Sequence, residues 1–443
     1  MTWCLKQKGK KSVHKVILVV GTTADYIQWI RLASPGRALF ITAPGIRRIA
    51  QEECPAPGEE ILVDLADRGG VFEALGAHLK RWDQVIQGVF SFDCESMALT
   101  AAIADKWGLD YPSETAIQNC RDKYVSKQIW ANHGIRCPKV LPIREVSDVL
   151  AFFKSVSSGC VLKPLTGSGS ELVFKCESKA DCHSAFTAIQ EGLESRAQNP
   201  LFERQSSSEF LMLAEELIPG TEFSCDFMVE GETIQIIRMA RKTKSPFKPF
   251  GTIVGYVLPG HLPEGIPKTL LEQILLKSVQ VLGITRGICM VDFIVSDDTI
   301  QLIELTPRPG GDCLPYLLKA ATGMDILKIC LDFAEKLPLE LKNSEAVPPH
   351  VGIRLHADKG GVLNHIDSKH LLEDPRVKHL FLTKKPGHRI TLPPEDYDSW
   401  LLGHVIIEPS NGRYPETQAM SIAKTIHICI DPEKKQAHIP EAS

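Results

Sequence analysis

The chain has 443 residues, 44% hydrophobic and 23% charged, with a formal net charge of −4, which allows roughly two to four ordinary globular domains and lacks the basic excess of a nucleic-acid binder. The only basic run, 6–15, reads as a solvated tail or a weak anion site. No stretch reaches the ~18 apolar residues of a membrane span, the run 16–20 is too short for a signal segment, and 13 cysteines without a CxxC pair or zinc spacing suit a reducing compartment, so the chain reads as cytoplasmic.

The first segment alternates strands at 15–20, 38–42, 60–64 and 84–90 with helices at 71–82 and 95–107. This α/β alternation predicts a parallel sheet covered by helices, with ligands at the carboxyl ends of its strands. Gly21 and Glu95 each follow a strand there; a turn glycine and a helix N-terminal carboxylate explain them as well as any chemistry does. From about 113 the pattern gives a helix at 122–133 closed by Gly134, a strand at 139–141 and a helix at 146–155. A strand at 159–164, a loop at 166–170, a strand at 171–175, a helix at 179–195, a polar connection at 198–208 and a strand at 210–218 follow. Hairpins are predicted across Glu230-Gly231 and across Asp297-Asp298, with an amphipathic helix at 267–282 between them. Helices at 314–321 and 326–333 lead into a proline-bearing linker at 337–349. The remainder, with strands at 351–356, 377–382, 404–408 and 427–431 and a helix at 416–426, reads as a small α+β domain.

Three constellations carry chemistry. Lys163 ends a strand and precedes Thr166-Gly167-Ser168-Gly169-Ser170. Backbone N–H groups of such a loop reach phosphate oxygens and the lysine adds a point charge, although the residues alone equally fit a flexible turn. Glu215 and Glu216 end an apolar strand, and Glu222 follows Pro219-Gly220. An edge strand with solvated acids is the plain alternative there. Asp292 stands in an apolar strand, and Glu304 precedes Leu305-Thr306-Pro307-Arg308-Pro309-Gly310-Gly311. A tight hairpin would set these two acids face to face. Buried acids need a cation, either a divalent ion or a lysine or arginine.

In this order the constellations resemble the ATP-grasp superfamily, in its carboxylate–amine (amino-acid) ligase type, over most of the chain. The resemblance implies a Rossmann-like domain at 1–112, an ATP-grasp domain at 113–345 and a C-terminal α+β domain at 346–443. The middle domain would hold a lid lobe at about 122–210, a hinge at 215–218 and a metal-binding lobe at 219–345. It implies ATP bound by Lys123, Lys163, Ser168, Gly169 and Ser170, by the hinge Glu215, Glu216, Leu217 and Ile218, and by Glu222 at the ribose. Asp292, Glu304 and Thr306 would hold Mg²⁺, with Mn²⁺ able to substitute. Thr306 stands where the family usually has Asn, a better ligand, which weakens the expectation of a second ion.

The implied reaction makes an acyl phosphate from a small carboxylate and ATP, and an amine then displaces phosphate. Lys163 and Arg308 would be catalytic, and Arg241, Lys242, Arg308, Gly310 and Gly311 would contact substrate; a solvated charge run is the alternative for Arg241 and Lys242. Rival readings are a carboxylase activating bicarbonate and a degenerate nucleotide-binding regulator. The expected partners are the carboxylate and the amine, without nucleic acid or membrane, and the resemblance admits a homodimer.

Overall fold

The computed structural model describes residues 14–167, 169–197, 202, 212–410 and 413–432. The chain divides into two compact units, Met1–Glu114 with Leu327–Glu340, and Thr115–Ile326 with Leu341–Ser443. The first contains β1 (His14–Val20), α1 (Ala24–Ala33), β2 (Ala38–Thr42), α2 (Pro44–Ile49), β3 (Glu60–Leu62), α3 (Arg68–Trp82), β4 (Gln84–Phe90) and α4 (Met97–Trp107). Its strands form a parallel sheet in the order β3-β2-β1-β4, as the alternation predicts. Val16 to Val20 are all buried, because a parallel strand covered on both faces must be apolar on both.

The second unit opens with α5 (Glu114–Arg121) and α6 (Lys123–Asn132). A lobe follows, in the place expected for the lid, built from β5 (Val140–Ile143), α7 (Val146–Ser155), β6 (Cys160–Pro164), β7 (Phe174–Cys176), α8 (Lys179–Ser195) and β8 (Met212–Glu216), in the antiparallel order β5-β8-β6-β7. β7 starts later than expected because Ser170 and Leu172 take left-handed backbone, φ 61° and 55°, which a strand cannot hold. Apart from Phe202, the expected connection at 198–208 lies outside the described residues.

The chain continues through β9 (Thr221–Glu230), β10 (Thr233–Lys244), β11 (Ile253–Leu258), α9 (Lys268–Leu282), β12 (Arg286–Ser296), β13 (Thr299–Thr306), α10 (Leu314–Thr322) and α11 (Ile326–Ala334). It ends with β14 (His350–His356), β15 (Gly361–Asp367), α12 (Lys369–Glu373), β16 (Val377–Leu382), β17 (Arg389–Ile390), β18 (Leu401–Ile407), α13 (Pro415–Ala423) and β19 (His427–Asp431). One sheet runs β13-β12-β9-β10-β11-β14-β18-β16, and β17-β15-β19 form a smaller one. β14, β16 and β18 come from the segment expected as a separate domain. The join is β11, absent from the sequence reading, which pairs with β10 on one side and β14 on the other. A boundary at 345/346 therefore crosses a continuous sheet.

The stretch 327–340 belongs to the first unit. Arg37 donates to Asp332 Oδ1 at 2.8 Å and to Glu335 Oε2 at 2.5 Å. A Cβ on Gly88 of β4 would come within 2.2 Å of the Ala334 carbonyl oxygen, so this close approach requires glycine.

In the second unit, the His404 ring packs against Tyr316 and Phe381, with centroids 4.8 and 5.5 Å away. Burial holds His404 down to about 4 and His356, beside Trp400, down to about 3. Both rings are neutral in the fold but protonate at about 6.5 in the unfolded chain. The unfolded state therefore binds more protons as pH falls from about 6.5 to about 4, and stability present above that window is lost within it. His404 alone contributes about 3 kcal/mol of this slope. The expected outcome is a thermal midpoint that drops on acidification through this window, with a shallower drop in His404→Phe.

Candidate active site

β9 and the start of β13 alternate apolar and polar residues, whereas β12 is apolar between its ends apart from Asp292. Phe223, Cys225, Phe227 and Val229 of β9 share a core with Cys289, Val291, Phe293 and Val295 of β12 and with Ile300 and Leu302 of β13, beneath α5, α6 and α9. Glu222, Ser224, Asp226 and Asp292 fall on the opposite face.

Strict alternation would send Glu304 inward after Ile300 and Leu302. The turn has Asp297 and Asp298 at φ 45° and 58°, and Ser296 pairs with Thr299. A regular ladder counted from it would set Asp292 opposite Ile303. Instead Phe293 pairs with Leu302, Asp292 pairs with Glu304, and Ile303 is an extra residue. This bulge reverses the phase, so that Leu305 returns to the core and Glu304 stands beside Asp292. The two acids meet as the hairpin predicts, by a route the sequence does not display.

The Ile303 carbonyl accepts from Lys127 Nζ at 2.6 Å. Lys127 lies on α6, whose N-terminus is capped by Asp122 accepting from the Tyr124 and Val125 N–H groups at 2.9 Å. Its ammonium is also 2.9 Å from Glu215 Oε2, which Lys163 Nζ approaches to 2.7 Å. Burial pushes Lys127 below the ordinary lysine range, against the pull of Glu215. Burial also pushes Glu215 up, but Lys127 and Lys163 together hold it below the ordinary carboxylate range. Sequence reasoning missed Lys127; the available signal was a lysine one helical turn after Lys123, among residues a helix would bury.

Lys123, Lys163, Gly169, Ser170, the hinge Glu215, Glu216, Leu217 and Ile218, and Glu222, Lys242, Asp292 and Glu304 all line one cavity of about 400 Å³. Ser168 lies outside the described residues. Lys123 Nζ donates to the Gly167 carbonyl at 2.9 Å, tying α6 to the Gly/Ser loop. Hinge N–H groups of Glu216 and Leu217 donate to the carbonyls of Lys139 and Gly159 at 2.9 and 3.1 Å. The Ile218 N–H has no such backbone partner among the described residues.

β10 runs on to Lys244, so the whole charge run at 238–244 is strand. Alternation then separates its members. Lys242 Nζ lies 2.7 Å from Glu222 Oε1 and 2.5 Å from Asp292 Oδ2, and Lys244 also pairs with Glu222. Arg241, expected at the substrate, instead pairs with Glu416 on α13. Arg238 is fully buried and donates to both carboxylate oxygens of Asp226, at 2.7 and 2.9 Å. Asp226 also accepts from the Gly310 N–H at 2.8 Å, and a Cβ on Gly310 would come within 2.3 Å of Arg238 Nη2. The Gly310 amide is thus committed to this ion pair, which corrects its expected use on substrate. Thr306 pairs with Met290 at the end of β13, and Arg308 Nη1 donates to the Pro309 carbonyl at 2.7 Å. Thr306, Arg308, Gly310 and Gly311 do not line the cavity.

The electrostatics of the acids differ. Burial pushes Glu222 up, but Lys242 and Lys244 hold it at about 2. Burial dominates at Asp292 and raises it to about 6, with Lys242 opposing and Glu304 and Glu222 adding. Burial likewise raises Glu304, but Lys123, Lys242 and Lys163 hold it below the ordinary range. Asp292 Oδ1 is buried without a hydrogen-bond donor among the described residues. Two facing carboxylates, one with an unpartnered oxygen, form a hard-oxygen donor set that fits Mg²⁺ or Mn²⁺.

Residues 156–316 match the ATP-grasp domain family. The chain is 23% identical to human carnosine synthase 1 over 250 residues, 55% of this chain and 30% of that protein. It is 26% identical to the D-alanine–D-alanine ligase of Aromatoleum aromaticum over 220 residues, 48% of this chain and 65% of the ligase. It therefore spans under a third of the first relative's length and just under two thirds of the second's. The crystal structure of L-amino acid ligase from Bacillus licheniformis superposes with a TM-score of 0.72 at 19% identity, covering 94% of this chain and 99% of that one. The mixed α/β architecture is the ATP-grasp fold. Among the described residues, no helix is long and apolar enough to cross a membrane.

Lys127→Ala removes a donor from the Ile303 bulge and leaves Glu215 with Lys163 alone. Breaking a buried ion pair on one side costs about 3–5 kcal/mol. Urea unfolding should show a loss of that size, and a loss below about 1 kcal/mol would mean that the pair does not hold these elements.

Proposed function

On the premise of an ATP-grasp domain, we propose that the chain is an ATP-dependent ligase that activates a small carboxylate as an acyl phosphate and joins it to an amine, releasing ADP and phosphate. The observation that carries this reading is the distribution of charge in the cavity. Lys123, Lys163, Lys242, Gly169 and Ser170 line the same cavity as Asp292 and Glu304, which pair directly across β12 and β13. A triphosphate with a divalent ion is complementary to a cavity that offers both lysines and a pair of facing acids.

In this reading the hinge holds the adenine, with the Ile218 N–H as a donor, and Glu222 holds the ribose. Lys123 and Lys163 neutralise phosphate oxygens, and the Lys127–Glu215–Lys163 chain fixes where the Lys163 ammonium stands. Asp292 and Glu304 would hold Mg²⁺ or Mn²⁺, with the Thr306 hydroxyl in place of an amide ligand. The ion supplies charge neutralisation at the phosphates. Lys242, between Glu222 and Asp292, brings a cation to the side where the carboxylate attacks the γ-phosphorus. Arg308, with the Gly311 N–H, stabilises the oxyanion formed when the amine attacks the acyl carbon and phosphate departs. The lid keeps water from the acyl phosphate. The names of the relatives, which include amino-acid ligases, support an amino acid as one substrate.

A phosphate-release screen over amino acids and other carboxylates, with ATP and Mg²⁺, tests the reaction. ADP formation should need both a carboxylate and the ion, and Lys163→Ala and Asp292→Asn should each lower kcat by ~100-fold or more. Turnover to AMP and pyrophosphate, or bicarbonate alone sufficing, overturns the proposal.

The split between Arg241 and Lys242 gives a second check. Lys242→Ala should lower kcat/KM for the carboxylate by at least about tenfold, whereas Arg241→Ala should leave it within about twofold. Equal losses would place both side chains on substrate.

A further inference from the structure

The back of the lid sheet carries a cluster that the ligase reading does not use. Along β6, Val161 and Lys163 face the nucleotide cavity while Cys160 and Leu162 enter the lid's own core. Along β7, Lys175 faces the cavity and Cys176 enters the core. Cys160 and Cys176 are direct cross-strand partners, and Cys182, in the first turns of α8, packs onto them. All three are 0% exposed, and their sulfur atoms lie within 4.8 Å of one another. Among the described residues this is the single group of three metal-ligating side chains brought so close.

The surroundings restrict what such a group can hold. Val149, Phe152, Leu162, Leu172 and Ile189 belong to the same buried apolar cluster. Thiolates select soft centres. Three thiolates around a monovalent or divalent ion would leave net negative charge in an apolar core, which is strongly unfavourable. Zinc also takes a fourth ligand in its structural sites, and the group offers three. A trivalent thiophilic centre meets both limits, since three sulfurs complete its coordination and the complex is neutral.

We propose that Cys160, Cys176 and Cys182 form a trithiol site for one trivalent thiophilic centre of the arsenite class. In the binding step arsenous acid loses three hydroxides and the thiols lose three protons. Three As–S bonds form, three waters leave, and no atom changes oxidation state. The bound centre would cross-link β6, β7 and α8 directly behind the strand that carries Lys163.

The test uses the full chain, reduced with a phosphine instead of a thiol, incubated with arsenite and desalted. Intact mass should show one arsenic in place of three hydrogens, with sulfur-to-arsenic absorption in the near ultraviolet and a raised melting temperature. Cys182→Ala should retain no arsenic, and Cys182→Val, which keeps more of the volume, is the second variant should the first not fold. Cys54→Ser, at an exposed thiol, should bind as the parent does. No retained arsenic, undiminished retention in a folded Cys182 variant, or one zinc ion held where arsenite is not would each overturn the proposal. None of these outcomes depends on ligase activity, so this proposal and the ligase reading fail separately.

Discussion

An extra residue in β13, Ile303, decides on which face of the sheet Glu304 stands. Side chains alternate with period two, so one inserted residue exchanges inside for outside over everything beyond it. Without it, a carboxylate would be driven among Phe223, Phe293 and Leu302, where nothing could compensate its charge. The bulge is held from α6, because Lys127 hydrogen-bonds the Ile303 carbonyl while its charge is shared with Glu215 and, through it, with Lys163. One buried ammonium thereby sets the position of the sheet acids, the hinge acid and the lid lysine together. β10 repeats the device, where an extra Ile237 lets Arg238 fall opposite Asp226.

The two bulges explain how so much charge is buried on one sheet. Asp226 and Arg238 neutralise each other, with the Gly310 N–H completing the carboxylate's partners. Nearby, Glu222, Lys242 and Asp292 form a chain in which Lys242 is held above the ordinary lysine range, burial opposing and Asp292 and Glu222 prevailing. The first pair is closed upon itself and supports the backbone. The second faces the cavity, and Asp292 Oδ1 there has no hydrogen-bond donor among the described residues.

The parallel sheet of the first unit was legible because its buried strands are rich in apolar residues: 38–42 coincides with β2, and 84–90 with β4, where Gln84 and Gln87 interrupt an otherwise apolar stretch. The Gly/Ser loop, the hinge and the two acids were legible because glycines and lone charges in apolar surroundings are visible in a sequence. Lys127 was not, since its meaning depends on a carbonyl 176 residues away. Arg241 was misplaced because β10 continues to Lys244, and only a continuous strand reveals that neighbours point to opposite faces. β11 was missed because IVGYVL is short and interrupted by Gly255, whose pairing with β14 leaves little space for a side chain. Overlooking that strand concealed the sheet that runs on into the C-terminal segment.

The stretch 327–340 completes a unit whose other residues all precede 115. Its Cys330 and Leu331 are fully buried, and its Asp332 and Glu335 hold Arg37. During synthesis the N-terminal sheet therefore emerges from the ribosome lacking part of its cover, and must wait for more than 200 further residues to be translated before that cover arrives. A cut at residue 114 therefore releases an N-terminal unit without residues that belong to it.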